Sequence, residues 1–255
     1  MSKVMKIAFT SSESEKARAG RARLVARYSD CDPKDADVIV ALGGDGFMLQ
    51  TLHQTRDLGV PVYGMNRGTV GFLMNEYSES GLVGRLMEAE QAVINPLEMT
   101  AQCVDGTMHK ELAINEVSLL RAGPQAAKLR ISVDGRVRME ELVCDGALLS
   151  TPAGSTAYNN SAHGPILPIG AEVLALTAVA AFRPRRWRGA LLPKSAKVRF
   201  DVLEAAKRPV MVDADSRSVS NVAYVEIESQ TAVGHRLMFD PGHGLEERLL
   251  QEQFI

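Results

Sequence analysis

The chain has 255 residues with a formal net charge of −2; 45% of its side chains are hydrophobic and 24% charged. That is ordinary globular composition, enough for two modest domains or one large one. The near-neutral charge excludes a global basic footprint for nucleic acid, and no apolar run reaches the roughly 18 residues of a membrane span.

The opening Met1-Ser2-Lys3-Val4-Met5-Lys6 lacks a long apolar core with a cleavage site, so no signal peptide is expected. The three cysteines, Cys31, Cys103 and Cys144, are odd in number and scattered. They read as reduced thiols of a cytoplasmic protein, not as a disulfide frame or zinc site. The five histidines show no metal-ligand spacing, so no protein-held metal is expected.

The first third alternates strand and helix signals. Residues 6–10 predict a strand, serines 11, 12 and 14 punctuate, and residues 15–27 predict a charged surface helix. Residues 37–42 form a second strand, apolar enough to be buried on both faces. The run Gly43-Gly44-Asp45-Gly46 follows, then a helix over 47–56, a strand over 60–65 and a helix over 80–93. This alternation predicts βαβ units and a parallel sheet. Ligands of such sheets bind beyond the carboxyl ends of the strands, where residues 43–46 and 66–72 lie.

The pattern changes near Asn95-Pro96. Short strands follow, joined by the turn signals Asp105-Gly106, Asp134-Gly135 and Asp145-Gly146. Residues 128–133, 198–202 and 223–227 alternate polar and apolar as half-buried strands do. The predicted fold class is an α/β N-terminal domain with a parallel sheet, residues 1–95, plus a β-rich, sandwich-like C-terminal domain, residues 96–240. A terminal segment, residues 241–255, carries a short helix over 245–253.

Four segments carry the chemistry. In Gly43-Gly44-Asp45-Gly46 the glycines are expected to reach positive φ and turn backbone N–H groups toward an anion, with the following helix adding its positive end. Asp45, flanked by glycines, is expected to have few packing duties. Asn115 and Glu116 interrupt an apolar strand over 113–119; the pair suits a strand edge meeting solvent, or bonds to a base and a ribose diol. Asp145 ends another apolar strand and suits a plain turn. In the loop from Thr151, Ser155-Thr156-Ala157-Tyr158-Asn159-Asn160-Ser161 gathers hydroxyls, amides and an aromatic ring; Ser155 suits a helix cap while the others face a ligand. Phe72, in Gly71-Phe72-Leu73, reads as core from its neighbours, and His163 as packed or solvent-facing. The basic cluster Arg183-Pro184-Arg185-Arg186-Trp187-Arg188 has the charge to bind phosphate, and reads more readily as a solvated loop or a subunit contact.

Taken in order, Gly-Gly-Asp-Gly, Gly-Phe-Leu, Asn-Glu and Thr-Pro-Ala-Gly-Ser-Thr-Ala-Tyr closely resemble the NAD kinase family over nearly the whole chain. The first run alone is shared with diacylglycerol-type lipid kinases and phosphofructokinases; the last two are far more specific. The resemblance implies phosphoryl transfer from ATP or polyphosphate to the adenosine-ribose 2′-hydroxyl of NAD, giving NADP. It implies Mg²⁺ arriving with the nucleotide, a homodimer or homotetramer, and a terminal segment returning to the first domain. It makes Asp45 the catalytic residue and Gly43, Gly44 and Gly46 the phosphate-donor loop. Asp45, Gly46, Phe72, Asn115, Glu116, Asp145, Ala153, Ser155, Thr156, Ala157, Tyr158, Asn159, Asn160 and Ser161 become the NAD contacts. Phe47, Ala153 and Asp213-Ala214 depart from the common pattern, the last at a turn where the family often has Asp-Gly.

Overall fold

The structure is a computed structural model that describes residues 4–68, 71–242 and 247. The chain divides into two units, Met1–Ile94 with Val233–Ile255, and Asn95–Ala232.

The first unit opens with strand β1 (Ile7–Ser11), helix α1 (Glu15–Tyr28), strand β2 (Val38–Gly43), helix α2 (Asp45–Thr55) and strand β3 (Val62–Asn66). The Ser14 hydroxyl caps α1 by accepting the Ala17 N–H, and Glu15 and Arg27 complement the helix dipole at its two ends. β1, β2 and β3 are parallel neighbours. All six residues of β2 are buried, as a central parallel strand covered on both faces requires. Leu24, Val40, Leu42, Tyr63 and Met65 form the centre of this unit's core.

Helix α3 occupies only Leu82–Glu88, and Glu90–Ile94 is strand β4. The helix expected over 80–93 is therefore half its length. At Ala89 the chain turns extended, with φ −62° and ψ 136°. The β-branched pair Val93-Ile94 ahead of a proline favours that state.

The second unit begins with β5 (Leu97–Cys103), β6 (Met108–Ala113), β7 (Glu116–Arg121), β8 (Ala127–Val133), β9 (Arg136–Cys144) and β10 (Gly146–Ser150). A loop holding the short helix α4 (Tyr158–Ser161) follows. Then come β11 (Val173–Val179), β12 (Gly189–Pro193), β13 (Val198–Val202), β14 (Val210–Ala214), β15 (Arg217–Val219) and β16 (Val222–Ser229). They build two six-stranded sheets, ordered β12-β11-β10-β7-β14-β15 and β6-β5-β16-β13-β8-β9. One core lies between them, with Val117, Leu119, Leu149 and Val212 from one sheet meeting Met99, Ile131, Phe200 and Val225 from the other. Asp134 (φ 52°) and Gly135 (φ 73°) make the left-handed two-residue turn of the β8–β9 hairpin.

The strand expected over 113–119 is two strands. β6 and β7 lie in different sheets, and the chain changes sheet at Ile114-Asn115. The β-rich region also ends sooner than its alternation implied. Strand β17 (His235–Phe239) joins the first unit, parallel to β3 and antiparallel to β4. Asn75 secures it: its side-chain amide donates to the carbonyls of Gly64 and Met238, both at 3.0 Å, and its oxygen accepts the Asp240 N–H. Asp240 in turn accepts the Tyr63 hydroxyl at 2.6 Å and the Arg85 Nε–H at 3.0 Å. The returning segment thus starts at Val233, ahead of residue 241. The helix expected over 245–253 falls outside the described residues, apart from residue 247.

Candidate active site

In the first unit the site grows from the carboxyl end of β2. Gly44 is the N-cap of α2 and Asp45 its first residue, so Asp45 starts the helix two residues ahead of the expected position. None of Gly43, Gly44 and Gly46 has positive φ, against expectation. Gly43 is required by packing, since a Cβ there would meet the Phe47 side chain at 2.8 Å. A Cβ on Gly44 or Gly46 would meet nothing within 4 Å. Their bareness serves neither backbone conformation nor internal packing; it leaves the N-terminal amides of α2 open to an approaching group.

The Asp45 carboxylate is engaged. It accepts the Phe72 N–H at 2.5 Å and the Leu73 N–H at 2.9 Å, tying the glycine loop to Gly71-Phe72-Leu73. A Cβ on Gly71 would collide with the same carboxylate. The expectation that Asp45 has few packing duties is therefore corrected: it anchors a second segment. That segment is itself fixed, because Arg67 N–H donates to Gly43 O at 2.7 Å and Asn66 N–H to Asn75 O at 2.8 Å.

In the second unit the site is the corner between β6 and β7. Thr151 locks it to the loop after β10: its hydroxyl donates to Ile114 O at 2.7 Å and its N–H to Asn115 O at 2.9 Å. Gly154 is obligatory there, since a Cβ would run into the Asn115 backbone. Asn115, Glu116 and the Thr151–Tyr158 stretch are thereby brought together. Burial and the neighbouring Asp215 carboxylate push the Glu116 carboxyl up to about 8, with a bond from the Tyr158 backbone opposing them. Glu116 keeps its proton at neutral pH, and its Oε2 is buried with no partner among the described residues.

The polar loop splits in two. Ser155 is fully buried, its hydroxyl donating to Pro152 O at 2.7 Å and accepting the Leu167 N–H at 3.0 Å. It lies inside a 3₁₀ turn, Ala153–Thr156, so it caps no helix. Asn159 is also fully buried; its amide donates to Ser155 O and Pro165 O, and its oxygen accepts the Thr177 hydroxyl. The Ser155 bonds stay within the loop, and those of Asn159 also tie the loop to Thr177 of β11; Ala153, Ser155 and Asn159 are all buried. Thr156, Ala157 and Tyr158 are half-exposed, while Asn160 and Ser161 are exposed. Phe72 is also half-exposed, outside the core where its neighbours placed it.

Asp145 stands apart from the corner. It precedes β10, whereas Thr151 follows it, and Ser150 pairs with Glu116 while Gly146 pairs with Leu120. Five strand residues lie between them, a separation of roughly 20 Å. Tyr158 spans part of that gap: burial, then the Glu116, Asp145 and Asp213 carboxylates, raise its phenol above the ordinary value. Asp145 itself is paired with Arg121 at 2.6 Å. The thiol of adjacent Cys144 is pushed up to about 12 by burial and is no nucleophile.

Sequence reasoning missed Asp215 and Asn75. Asp215 sits in the β14–β15 turn at φ 52°, so the turn whose glycine is replaced by Ala214 is made one residue later. A polar residue between two strand signals marks a turn, but nothing local shows what its carboxylate reaches. Among the described residues, no group of three or more His, Cys, Asp or Glu side chains is placed to hold a metal ion. None of the described helices is long and apolar enough to cross a membrane.

An open helix N-terminus with an adjoining carboxylate in one unit, and a hydroxyl-rich loop locked to an amide–carboxyl corner in the other, suit the chemistry of phosphoryl transfer to a nucleotide. Residues 2–81 match the ATP-NAD kinase N-terminal domain and residues 114–230 the ATP-NAD kinase C-terminal domain. The chain belongs to the NAD kinase family. It is 69% identical to an NAD kinase of Cereibacter sphaeroides over 98% of both chains, and 61% identical to one of Caulobacter vibrioides over 98% of this chain and 96% of that one. Its fold is that of yeast NADH kinase, solved with NADH (TM-score 0.82, 20% identity, covering 98% of this chain and 87% of that one). An NAD kinase from Archaeoglobus fulgidus, solved with ATP, shares it too (TM-score 0.75, 23% identity, covering 97% and 96%).

Proposed function

We infer that this protein is an NAD kinase, transferring a phosphoryl group from ATP, or from polyphosphate, to the adenosine-ribose 2′-hydroxyl of NAD and releasing NADP. The observation that carries the reading is the bare backbone at Gly44 and Gly46, beside Asp45 at the start of an eleven-residue helix. Donor phosphates are favoured there by the open amides and the helix dipole.

Asn115 and Glu116 hold the acceptor. Glu116, protonated at neutral pH, donates through one oxygen and accepts through the other, which suits a diol. Thr156, Ala157, Tyr158, Asn160 and Ser161 line the same loop, and Asp145 contributes through the region Tyr158 reaches. Asp45 accepts the proton of the attacking hydroxyl. A carboxylate has about four lone-pair directions, and the amides of Phe72 and Leu73 take two of them. As the new oxygen–phosphorus bond forms, the bond to the leaving ADP or shortened polyphosphate breaks. Positioning and charge stabilisation supply most of the rate in such transfers.

The described residues offer no cage for Mg²⁺. In this reading the ion travels with the donor and, when bound, neutralises phosphate oxygens. A homodimer or homotetramer in the cytoplasm completes the proposal. The free thiols of Cys31, Cys103 and Cys144 accord with that compartment, and the exposed Arg183, Arg185, Arg186 and Arg188 offer a subunit contact. Light scattering measures the assembly.

The test is product formation by the purified protein with NAD, Mg²⁺ and either ATP or inorganic polyphosphate, with diacylglycerol replacing NAD in a parallel reaction. NADP from at least one donor, without lipid phosphorylation, is the expected result. Lipid product, or NAD binding with no turnover on either donor, overturns the reading.

A further inference from the structure

The corner at Ile114-Asn115 has a structural problem. Its backbone N–H groups lie between β6 and β7, which belong to different sheets, so neither ladder takes them. Ile114 is fully buried. Unpaired buried amides are costly, and some acceptor must be supplied.

The acceptor comes from far along the chain. The Asp215 carboxylate receives the Ile114 N–H on Oδ2 at 2.8 Å and the Asn115 N–H on Oδ1 at 2.9 Å. The Asp215 N–H closes the link by donating to Glu116 O at 3.2 Å. Backbone groups of three consecutive residues, Ile114, Asn115 and Glu116, are thus held by one residue.

Turn formation alone does not call for this side chain. Asn or Gly adopts positive φ at least as readily as Asp. Each would also spare the corner a second carboxyl group beside Glu116, an unfavourable neighbour for it. What Asp alone offers is a fork of two acceptor oxygens matched to two parallel donors. Asn in the same place would set an NH₂ group against one of the amides.

We propose that Asp215 is a positioning residue of the acceptor site, its carboxylate holding the corner from which the Asn115 and Glu116 side chains reach the acceptor nucleotide. This rests on the reading of Asn115 and Glu116 as acceptor contacts. Asp215 touches neither substrate nor donor; it acts through the backbone it grips. Its loss lets the corner relax and misdirects both side chains together, while the glycine loop of the other unit keeps its own anchors.

The experiment is steady-state kinetics of the full-length chain with Asp215→Asn, Asp215→Ala and Glu116→Ala, and of the Asp215→Asn/Glu116→Ala double variant. The KM for NAD should rise about tenfold or more in Asp215→Asn, with the donor KM and kcat within about threefold. The double variant should lose less than the product of the two single effects, because both act on one contact set. An unchanged KM for NAD in folded Asp215→Asn, or equal rises for donor and acceptor, overturns the proposal. So does failure of both Asp215 variants to fold, which makes the residue a general structural one. An unchanged KM for NAD in Glu116→Ala removes the underlying reading of the pair, and the proposal with it.

Discussion

The Asp45 carboxylate sits 2.9 Å from the backbone N–H of Leu73, and its other oxygen holds the neighbouring amide of Phe72. The residue proposed to take the proton is therefore also a clasp between the glycine loop and the segment after β3. Asp45→Asn removes the basic oxygen and turns an NH₂ group toward one amide. Turnover should fall by about 10²–10⁴-fold, and unfolding free energy by about 1–3 kcal/mol. Steady-state NADP formation and denaturant unfolding on the same preparation measure both. Near wild-type turnover in the folded variant would falsify the catalytic assignment.

Gly71→Ala tests the clasp from the other side. The added Cβ collides with the Asp45 carboxylate, so the carboxylate or the backbone of Gly71-Phe72-Leu73 must shift. Overpacking of this kind costs about 1–3 kcal/mol, and kcat should drop because Asp45 is displaced. An alanine variant with unchanged kcat and midpoint shows that the clasp is dispensable.

Glu116 makes stability depend on pH. Its folded value of about 8 stands above the ordinary 4.5. Between those two values the unfolded chain has released the proton and the folded chain has kept it. Stability therefore falls as pH rises through that window, with the full loss present above about pH 8. Glu116→Gln, which resembles the protonated form, should be more stable than wild type at alkaline pH by up to about 5 kcal/mol and nearly equal to it below the ordinary carboxyl range. Urea midpoints across pH check this; a difference that does not change with pH refutes it. Glu116→Ala should weaken NAD use by about 1–3 kcal/mol and leave the donor KM nearly unchanged.

Neighbouring residues in the polar loop should behave oppositely. Tyr158→Ala should raise the KM for NAD in a protein that stays folded, since the ring is half-exposed. Asn159→Leu should lower stability by about 1–3 kcal/mol, because it strips partners from Ser155 O, Pro165 O and the Thr177 hydroxyl. Thermal unfolding and NAD titration on both variants separate the roles, and a reversed pattern exchanges them.

Much of the plan is legible locally. Strand–helix alternation gives the parallel β1, β2 and β3, and period-two alternation gives the antiparallel strands, because side-chain direction is set by backbone geometry within a few residues. Gly43-Gly44-Asp45-Gly46 stands out for a similar reason: bare backbone at a strand end is visible as composition. The order of the four motifs then points to one family.

What the residues alone determined, then, was the periodicity of each segment and the chemistry of each motif. Which segments meet was decided only by tertiary structure. His235-Arg236-Leu237-Met238-Phe239 closes the stretch that reads as β-rich, yet pairs with β3 and β4, because a strand's composition does not say against which sheet it is buried. Ser155 and Asn159 look as available as Asn160, and burial alone separates them. The bond from Asp215 to Asn115 spans 100 positions, and that from Asp45 to Leu73 spans 28. A carboxylate's partner at such separation depends on how the sheets bring the chain back, and no local propensity encodes it.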